Sequence, residues 1–245
     1  MPPPRTGPVY HEVMERHQRH RLLRRLSSLL LVVGGVVLAY PFWSAGYASI
    51  QQGRLGHALS RSQVTFDEVI RTERAALAQL SRPEDRAARL AGLFEVKLRP
   101  GQAIGRIRIP RIGLDRVVLE GVRLPPSFDG LYNQAFLRDG PTHYGTTPLP
   151  GEGRPFAVAG HRTTYGAPFY RLNQLRPGDG IFVTTPYGVF EYRVAKVTAV
   201  SPDDVSVLYD RGYDLVLTTC HPPYRAAKRL VVWADLSGLT VRGNR

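Results

Sequence analysis

The pattern of apolar and polar positions divides the chain into three stretches of different character. Residues 26–53 contain no charged side chain, and their apolar centre, residues 29–47, is close to the roughly 20 residues that a bilayer-crossing helix needs. Residues 54–98 mix alanine, leucine and charged side chains in a pattern typical of helices. From Gly101 onward the pattern changes to short β-rich runs separated by glycine and proline.

The apolar stretch predicts a single membrane anchor. It is longer than the roughly 7–15 apolar residues of a signal peptide, although cleavage near residues 44–46 (SAG) is an open alternative. Three aromatic residues that suit a membrane interface lie at its exit: Tyr40, Trp43 and Tyr47. Arg24 and Arg25 at its mouth argue against a buried core helix, and the positive-inside rule then keeps the N-terminus in the cytoplasm and the rest outside.

These stretches predict four regions. They are a cytoplasmic basic tail over residues 1–25, a transmembrane anchor over 26–53, an extracellular juxtamembrane stalk over 54–100 and a β-rich domain over 101–245. In the stalk we expect two helices, over residues 60–80 and 81–94, the second with a capping box from Ser81 to Glu84. We interpret the stalk as a mobile, partly helical spacer; a helix that packs on the domain or on another protein is the alternative.

The β-rich region predicts an all-β fold. The candidate strands are residues 103–109, 117–121, 154–160, 180–185, 189–200, 215–219 and 229–235. A hairpin turn is expected at residues 184–188 (TTPYG) and a short helix within 169–175. Short strands in this number with few helices indicate a closed, mainly antiparallel barrel.

The charge of the chain adds little to this picture. The formal net charge is +13, and it comes almost wholly from arginine, which fits the codon bias of a GC-rich genome. A basic protein can bind anionic envelope polymers, but none of the usual nucleic-acid-binding motifs is present in the sequence, so we expect no nucleic-acid partner. A single cysteine excludes an intramolecular disulfide.

That cysteine, Cys220, is the main candidate for chemistry. It ends one apolar run, and Arg229 begins the next, which predicts neighbouring strands with the thiol and the guanidinium at the same end. Free cysteine usually packs as a small hydrophobe. A strand end with a nearby cation instead suits a nucleophilic thiol. His161, which follows another β run, completes the pattern of a lone cysteine with a histidine elsewhere in the sequence.

Four further residues are weaker candidates. His143 either lines the site as a second imidazole or is a loop histidine bonded to backbone. Thr219 orients the thiol, binds substrate, or is an ordinary strand threonine, and Tyr165 either contacts substrate or packs on its loop. His221 is not expected to be the base, because adjacent side chains on an extended segment face opposite ways.

The motifs around these residues resemble those of sortases, the cysteine transpeptidases of Gram-positive surfaces. The active-site signature corresponds to residues 217–220 (LTTC) followed by Arg229, and the histidine motif to residues 159–163 (AGHRT). The longer stretch 160–169 (GHRTTYGAPF) is similar to class E, the housekeeping type of high-GC Gram-positive bacteria. Residues 105–119 and 140–144 also match in order. One departure is Val216, where the family usually has threonine.

The resemblance implies a fold and an activity. Sortases have an eight-stranded barrel, and we expect neither a cofactor nor a metal. In such an enzyme Cys220 would cleave a C-terminal sorting motif between Thr and Gly through a thioacyl intermediate, His161 would transfer protons, and Arg229 would hold the peptide backbone or the oxyanion. Class E members favour LAXTG-like over LPXTG motifs. The implied partners are secreted proteins that carry the motif, a lipid-linked peptidoglycan precursor as amine acceptor, and the membrane.

Other classes of function remain as alternatives. An inactive, membrane-anchored scaffold barrel would carry an unreactive Cys220. An L,D-transpeptidase is disfavoured because its Ser-His-Gly-Cys signature is absent from the sequence. A metal-binding module could use His143, His161, Cys220 and His221, but their spacing is not that of a typical zinc site.

Overall fold

The N-terminal part of the chain is one long helix. The computed structural model describes residues 8–121 and 134–243, and the chain divides into two compact units, Met1–Trp43 and Ser44–Arg245. Helix α1 spans Pro8–Thr72. Within the described residues, one helix is long and apolar enough to cross a membrane, judged by length and composition. Its apolar side chains, such as Leu30 and Phe42, are exposed.

The second unit is built on a closed barrel of eight strands in the order β1-β2-β3-β4-β7-β8-β6-β5. The strands are β1 Ala103–Ile109, β2 Leu114–Leu119, β3 Thr142–His143, β4 Phe156–Ala159, β5 Gly180–Thr185, β6 Gly188–Val200, β7 Leu215–His221 and β8 Lys228–Val241. The pairs β2–β3 and β4–β7 are parallel, and the others are antiparallel. The prediction of a closed, mainly antiparallel barrel is confirmed, including the hairpin that pairs Thr185 with Gly188. The two-residue β3 was not predicted.

Short helices connect and cover the strands. Helices α2 (Arg74–Ala78), α3 (Pro83–Glu95) and α4 (Gln134–Leu137) precede or interrupt the barrel, and 3₁₀ turns lie at Pro110–Ile112, Leu172–Gln174 and Val205–Tyr209. The turn at Leu172–Gln174 is the short helix expected within residues 169–175. The expected capping box is wrong: Arg82, not Ser81, is the N-cap of α3, and Pro83 begins the helix.

Residues 54–98 pack on the barrel and are not a separate mobile stalk. Phe66 on α1 and Phe94 on α3 meet edge to face at 5.5 Å between ring centroids, and Phe94 lies 5.8 Å from the ring of Tyr187 in the β5–β6 turn. Leu90 is fully buried in the same cluster. The structure therefore contains the packed alternative. Each buried side chain of this size contributes roughly 2 kcal/mol to the free energy of unfolding.

The strands of the barrel present two apolar faces. Alternate residues of all the longer strands, among them Val158, Leu217 and Val232, fill one interior cluster. The intervening residues of β4, β7 and β8, such as Ala157, Val216 and Val231, form a second cluster on the outer face. Because side chains alternate along a strand, each position of β4, β7 and β8 can be assigned to the interior or to the outer face.

Candidate active site

Strands β7 and β8 bring the thiol and the guanidinium together. Cys220 is paired directly with Arg229 in the antiparallel ladder. Both side chains lie on the outer face of the sheet. Cys220 is four positions after Val216 and Arg229 is two positions before Val231, and residues an even number of positions apart on a strand face the same side. Directly opposed side chains on one face are about 5 Å apart at Cβ. Cys220 is partly exposed, whereas Arg229 is buried, with 9% of its surface exposed.

His161 reaches the same edge through the parallel pairing of β4 with β7. Ala159 is in register with Thr218, so His161 and Cys220 both lie two residues beyond that matched pair. Two hydrogen bonds extend the pairing past the end of β4. The Gly160 N–H donates to the Thr218 carbonyl at 3.1 Å, and the Thr219 hydroxyl donates to the Gly160 carbonyl at 2.7 Å. His161 and Cys220 therefore lie side by side at the same end of the sheet.

The loop after His161 is closely packed. A Cβ on Gly160 would lie 2.5 Å from the ring of Phe169, so this position requires glycine. The Phe169 N–H donates to the His161 carbonyl at 3.0 Å, which closes the loop. Tyr165 has a φ of 50° and places its ring 5.2 Å from the His161 imidazole. Burial lowers the pKa of His161.

A second arginine lies beneath the thiol. Arg162 is only 3% exposed; its Nη1 donates to the Cys220 carbonyl at 3.3 Å and its Nη2 to Asn173 Oδ1 at 2.8 Å. Among the residues that the structure describes, its buried Nε has no hydrogen-bond partner. Burial lowers the pKa of Arg162, and the negative forms of Tyr170 and Cys220 oppose that shift. This contact was not predicted, because the residue after His161 gave no sign that it turns inward.

Tyr144 also belongs to the site. Its hydroxyl shares a 2.8 Å hydrogen bond with the Thr218 hydroxyl. Burial raises the pKa of Tyr144 to about 12, the Thr218 bond and Arg229 work against that shift, and Cys220 adds to it. Tyr144 therefore lies within the electrostatic reach of Cys220 and Arg229, and the only sign of this in the sequence is its place in the motif at residues 140–144.

His143, by contrast, is not in the site. It pairs with Val158, an interior residue, and its ring lies 5.0 Å from that of Phe156. Its Nδ1 is 2.8 Å from Glu120 Oε2 and its Nε2 is 3.0 Å from Thr147 Oγ1, with all three groups buried. The expectation that His143 lines the site is wrong because alternation turns it inward and turns Tyr144 outward. The backbone-bonded alternative is wrong as well.

The other candidates divide. Thr219 points away from the outer face, and its hydroxyl is bonded to Gly160, so it fastens β7 to the histidine loop instead of facing a substrate. His221 has the opposite parity to Cys220, as expected for a residue that is not the base. Tyr165 lies against His161. Among the residues whose side chains the structure describes, no three His, Cys, Asp or Glu side chains are grouped to hold a metal ion.

The sequence model of the Sortase domain matches residues 107–237, which is more than half of the chain and the whole region that holds these residues. The chain belongs to the sortase family of cysteine transpeptidases.

Individual relatives agree. The chain is 33% identical over 159 residues to sortase SrtE1 of Streptomyces coelicolor, covering 60% of this chain and 43% of that protein. It is 29% identical over 222 residues to sortase A of Bacillus anthracis, covering 90% and 97%. Among solved structures, a sortase D5 of Clostridium perfringens aligns with a TM-score of 0.51 and 28% identity, over 60% of this chain and 87% of that one. The similarity to SrtE1 supports the class E assignment.

Proposed function

We propose that the protein is a membrane-anchored transpeptidase that cleaves a C-terminal LAXTG- or LPXTG-like motif between Thr and Gly and transfers the acyl part to an amine of a cell-wall precursor. The observation that carries the proposal is the register that places Cys220 opposite Arg229 and His161 at the same strand edge. A nucleophile, an acid–base group and a fixed cation on one partly open face are the parts that thiol acyl transfer needs.

The first half of the reaction forms the acyl-enzyme. The Cys220 thiolate attacks the threonine carbonyl carbon, and the negative charge moves to the carbonyl oxygen. Arg229 holds that oxyanion or the adjacent peptide backbone with its fork of N–H donors. When the C–N bond breaks, protonated His161 gives its proton to the leaving glycine amine, and the threonine carbonyl remains on sulfur as a thioester.

The second half transfers the acyl group. The nitrogen of the incoming neutral amine attacks the thioester carbonyl, and neutral His161 takes the proton that this nitrogen loses; the C–S bond breaks and the thiolate returns. Burial lowers the pKa of His161, which favours the neutral form that this half requires. Arg162, held on the Cys220 carbonyl at 3.3 Å, adds a second cation that offsets the charge of the thiolate.

The membrane geometry fits this chemistry. Arginines before the apolar run of α1 support an N-terminus in the cytoplasm and a barrel outside. A secreted protein that carries a sorting motif and a lipid-linked acceptor would then meet the enzyme at one membrane surface. The partners that we propose are those two substrates.

Transfer assays on the full chain in detergent test the proposal. LAXTG and LPXTG peptides are offered with a primary amine, and the transfer product is followed by mass. We expect product from the wild type, a preference for LAXTG, and none from Cys220→Ala. No product from a folded wild type, together with a thiol probe that fails to label Cys220, would favour the inactive scaffold barrel instead.

A further inference from the structure

Residues 44–52, the last turns of the stretch predicted as the anchor, are held on the barrel by hydrogen bonds from the side chain of Gln52, and we name them the juxtamembrane segment. The Gln52 amide donates to the carbonyls of Val117 at 3.2 Å and Asp139 at 2.9 Å, and its Oε1 accepts the Val117 N–H at 2.7 Å. These three bonds use both the NH2 group and the carbonyl oxygen of the Gln52 side chain, and they tie it to β2 and to the residues before β3. This part of α1 therefore has a fixed register on the barrel.

The same segment covers the histidine loop. The Tyr47 hydroxyl donates to Asp139 Oδ1 at 2.8 Å and accepts from Gln51 Nε2 at 3.0 Å, so the ring is held at its polar end. Its edge meets the ring of Tyr165 at 6.4 Å between centroids and 68° between planes. Beside it, Ala48 is 6% exposed and its Cβ would lie 3.3 Å from a Cβ on Gly166, so the two backbones approach closely.

Tyr165 connects this contact to His161. Its ring lies between the two, 6.4 Å from Tyr47 and 5.2 Å from the imidazole. Tyr165 and Ala167 both have positive φ, 50° and 43°, which is unusual for residues with a side chain and persists only where the surroundings support it. Tyr47 and Ala48 of the juxtamembrane segment belong to those surroundings, through the ring contact with Tyr165 and the close approach at Gly166.

We infer that the juxtamembrane segment is a part of the active-site framework, in which Tyr47 is a positioning residue that holds Tyr165 against His161. Residues 44–52 lie within the stretch that the sequence predicts as the anchor, 26–53, and the contacts described above hold its last turns on the barrel. The inference rests on the proposed role of His161 in acyl transfer, and it adds that transfer depends on residues of α1 that touch no substrate.

Point variants of the full chain in detergent test the inference. Because a small misplacement of a catalytic group can cost up to about 100-fold, we expect Tyr47→Ala to lower kcat for peptide transfer about 10-fold. Tyr47→Phe keeps the ring but loses the hydrogen bonds to Asp139 and Gln51, so its kcat should lie between those of Tyr47→Ala and the wild type. Val64→Ala, an apolar truncation at an exposed position of the same helix, is the matched control and should behave as wild type.

A second measurement separates positioning from damage to the fold. Alkylation of Cys220 by iodoacetamide should stay within about twofold of wild type in Tyr47→Ala, since the thiol is held by β7 and not by the loop. Transfer by Tyr47→Ala equal to that of Val64→Ala would overturn the inference, and so would parallel loss of alkylation and transfer. Absence of transfer in the wild type itself would count against the proposed function and not against this contact alone.

Discussion

Two histidines, His143 and His161, lie on opposite faces of neighbouring parts of the barrel wall. His143 is 2% exposed and has both ring nitrogens within 3.0 Å of Glu120 and Thr147 oxygens. His161 is partly exposed at a strand edge, beside the outer face that carries Cys220 and Arg229. The difference shows that the environment, not the residue type, decides which imidazole can exchange protons with a substrate.

The interior pair, His143 and Glu120, and the residues around Cys220 also differ in the role of their polar and charged side chains. The imidazole of His143 and the carboxylate of Glu120 face each other inside the barrel, where loss of one leaves the other buried without its partner. On the outer face, Arg229 is paired with the partly open Cys220, whose backbone carbonyl accepts a hydrogen bond from the buried Arg162. We therefore expect loss of the interior pair to act on stability, and changes of the proposed catalytic groups His161 and Arg229 to act on turnover.

The largest effect is expected for His161→Gln. Loss of a general acid–base group lowers rates by about 100- to 10,000-fold, so peptide transfer should fall within that range while the midpoint of thermal unfolding stays near that of the wild type. Steady-state transfer kinetics and a thermal melt provide the two measurements. Retention of more than about a tenth of wild-type kcat would assign the proton transfer to another group.

Arg229→Lys should come next in size. A lysine keeps the charge but loses the planar fork of donors, so we expect kcat to fall about 100-fold, as for removal of one oxyanion-hole donor. The exposed Arg225 on the β7–β8 loop offers a matched control in Arg225→Lys. If lysine restored wild-type transfer at position 229, charge alone would be the requirement.

Loss of the interior pair, His143 and Glu120, should lower stability and leave turnover almost unchanged. His143→Ala leaves the Glu120 carboxylate buried without its imidazole partner, which costs about 3 kcal/mol of unfolding free energy. Below its lowered unfolding midpoint, the folded enzyme should keep its kcat within about threefold, because His143 does not reach the outer face. Denaturant melts and transfer assays on one preparation check both parts. A loss of kcat like that of His161→Gln would erase the distinction between the two histidines.

Tyr144→Phe tests the outer face with a smaller change. It removes the hydroxyl bonded to Thr218 and leaves the ring, so we expect a loss of about 1 kcal/mol in unfolding free energy. Equilibrium unfolding in urea provides the measurement. Stability equal to that of the wild type would mean that the hydroxyl exchanges its partner for water without cost.

The smallest effect is the pH dependence that His161 contributes to stability. Burial places its pKa below the unfolded value of about 6.5, so the unfolded state binds more protons between the two and stability falls as pH falls through that window. His161→Gln removes this contribution, and its unfolding free energy should fall less than that of the wild type between pH 7.5 and pH 5. Identical slopes for both proteins would contradict the assigned direction.

Much of the fold and part of the site could be predicted from the sequence. The β-rich runs and the loop between Cys220 and Arg229 predicted adjacent strands, because short runs joined by a proline-rich loop have few other arrangements. The histidine motif led to His161. His143 was misjudged since β3 is two residues long, too short for its alternation to be recognised.

Other features depend on contacts between distant segments. Arg162 turns inward to the Cys220 carbonyl 58 positions away, and Tyr47 reaches Asp139 across 92 positions. A helix with an apolar stripe has the same sequence pattern whether it packs on its own barrel or on another protein, so the docking of residues 54–98 could not be distinguished in advance. Pairing across such separations is set by the fold as a whole.

The most direct test is the intact mass of the protein after mixing with an LAXTG peptide in the absence of an amine acceptor. We expect the wild type to gain the mass of the acyl fragment on Cys220, located by proteolysis, and Cys220→Ala to gain none. An adduct on another residue, or none in a folded protein whose thiol reacts with iodoacetamide, would contradict acyl transfer at this face of the barrel.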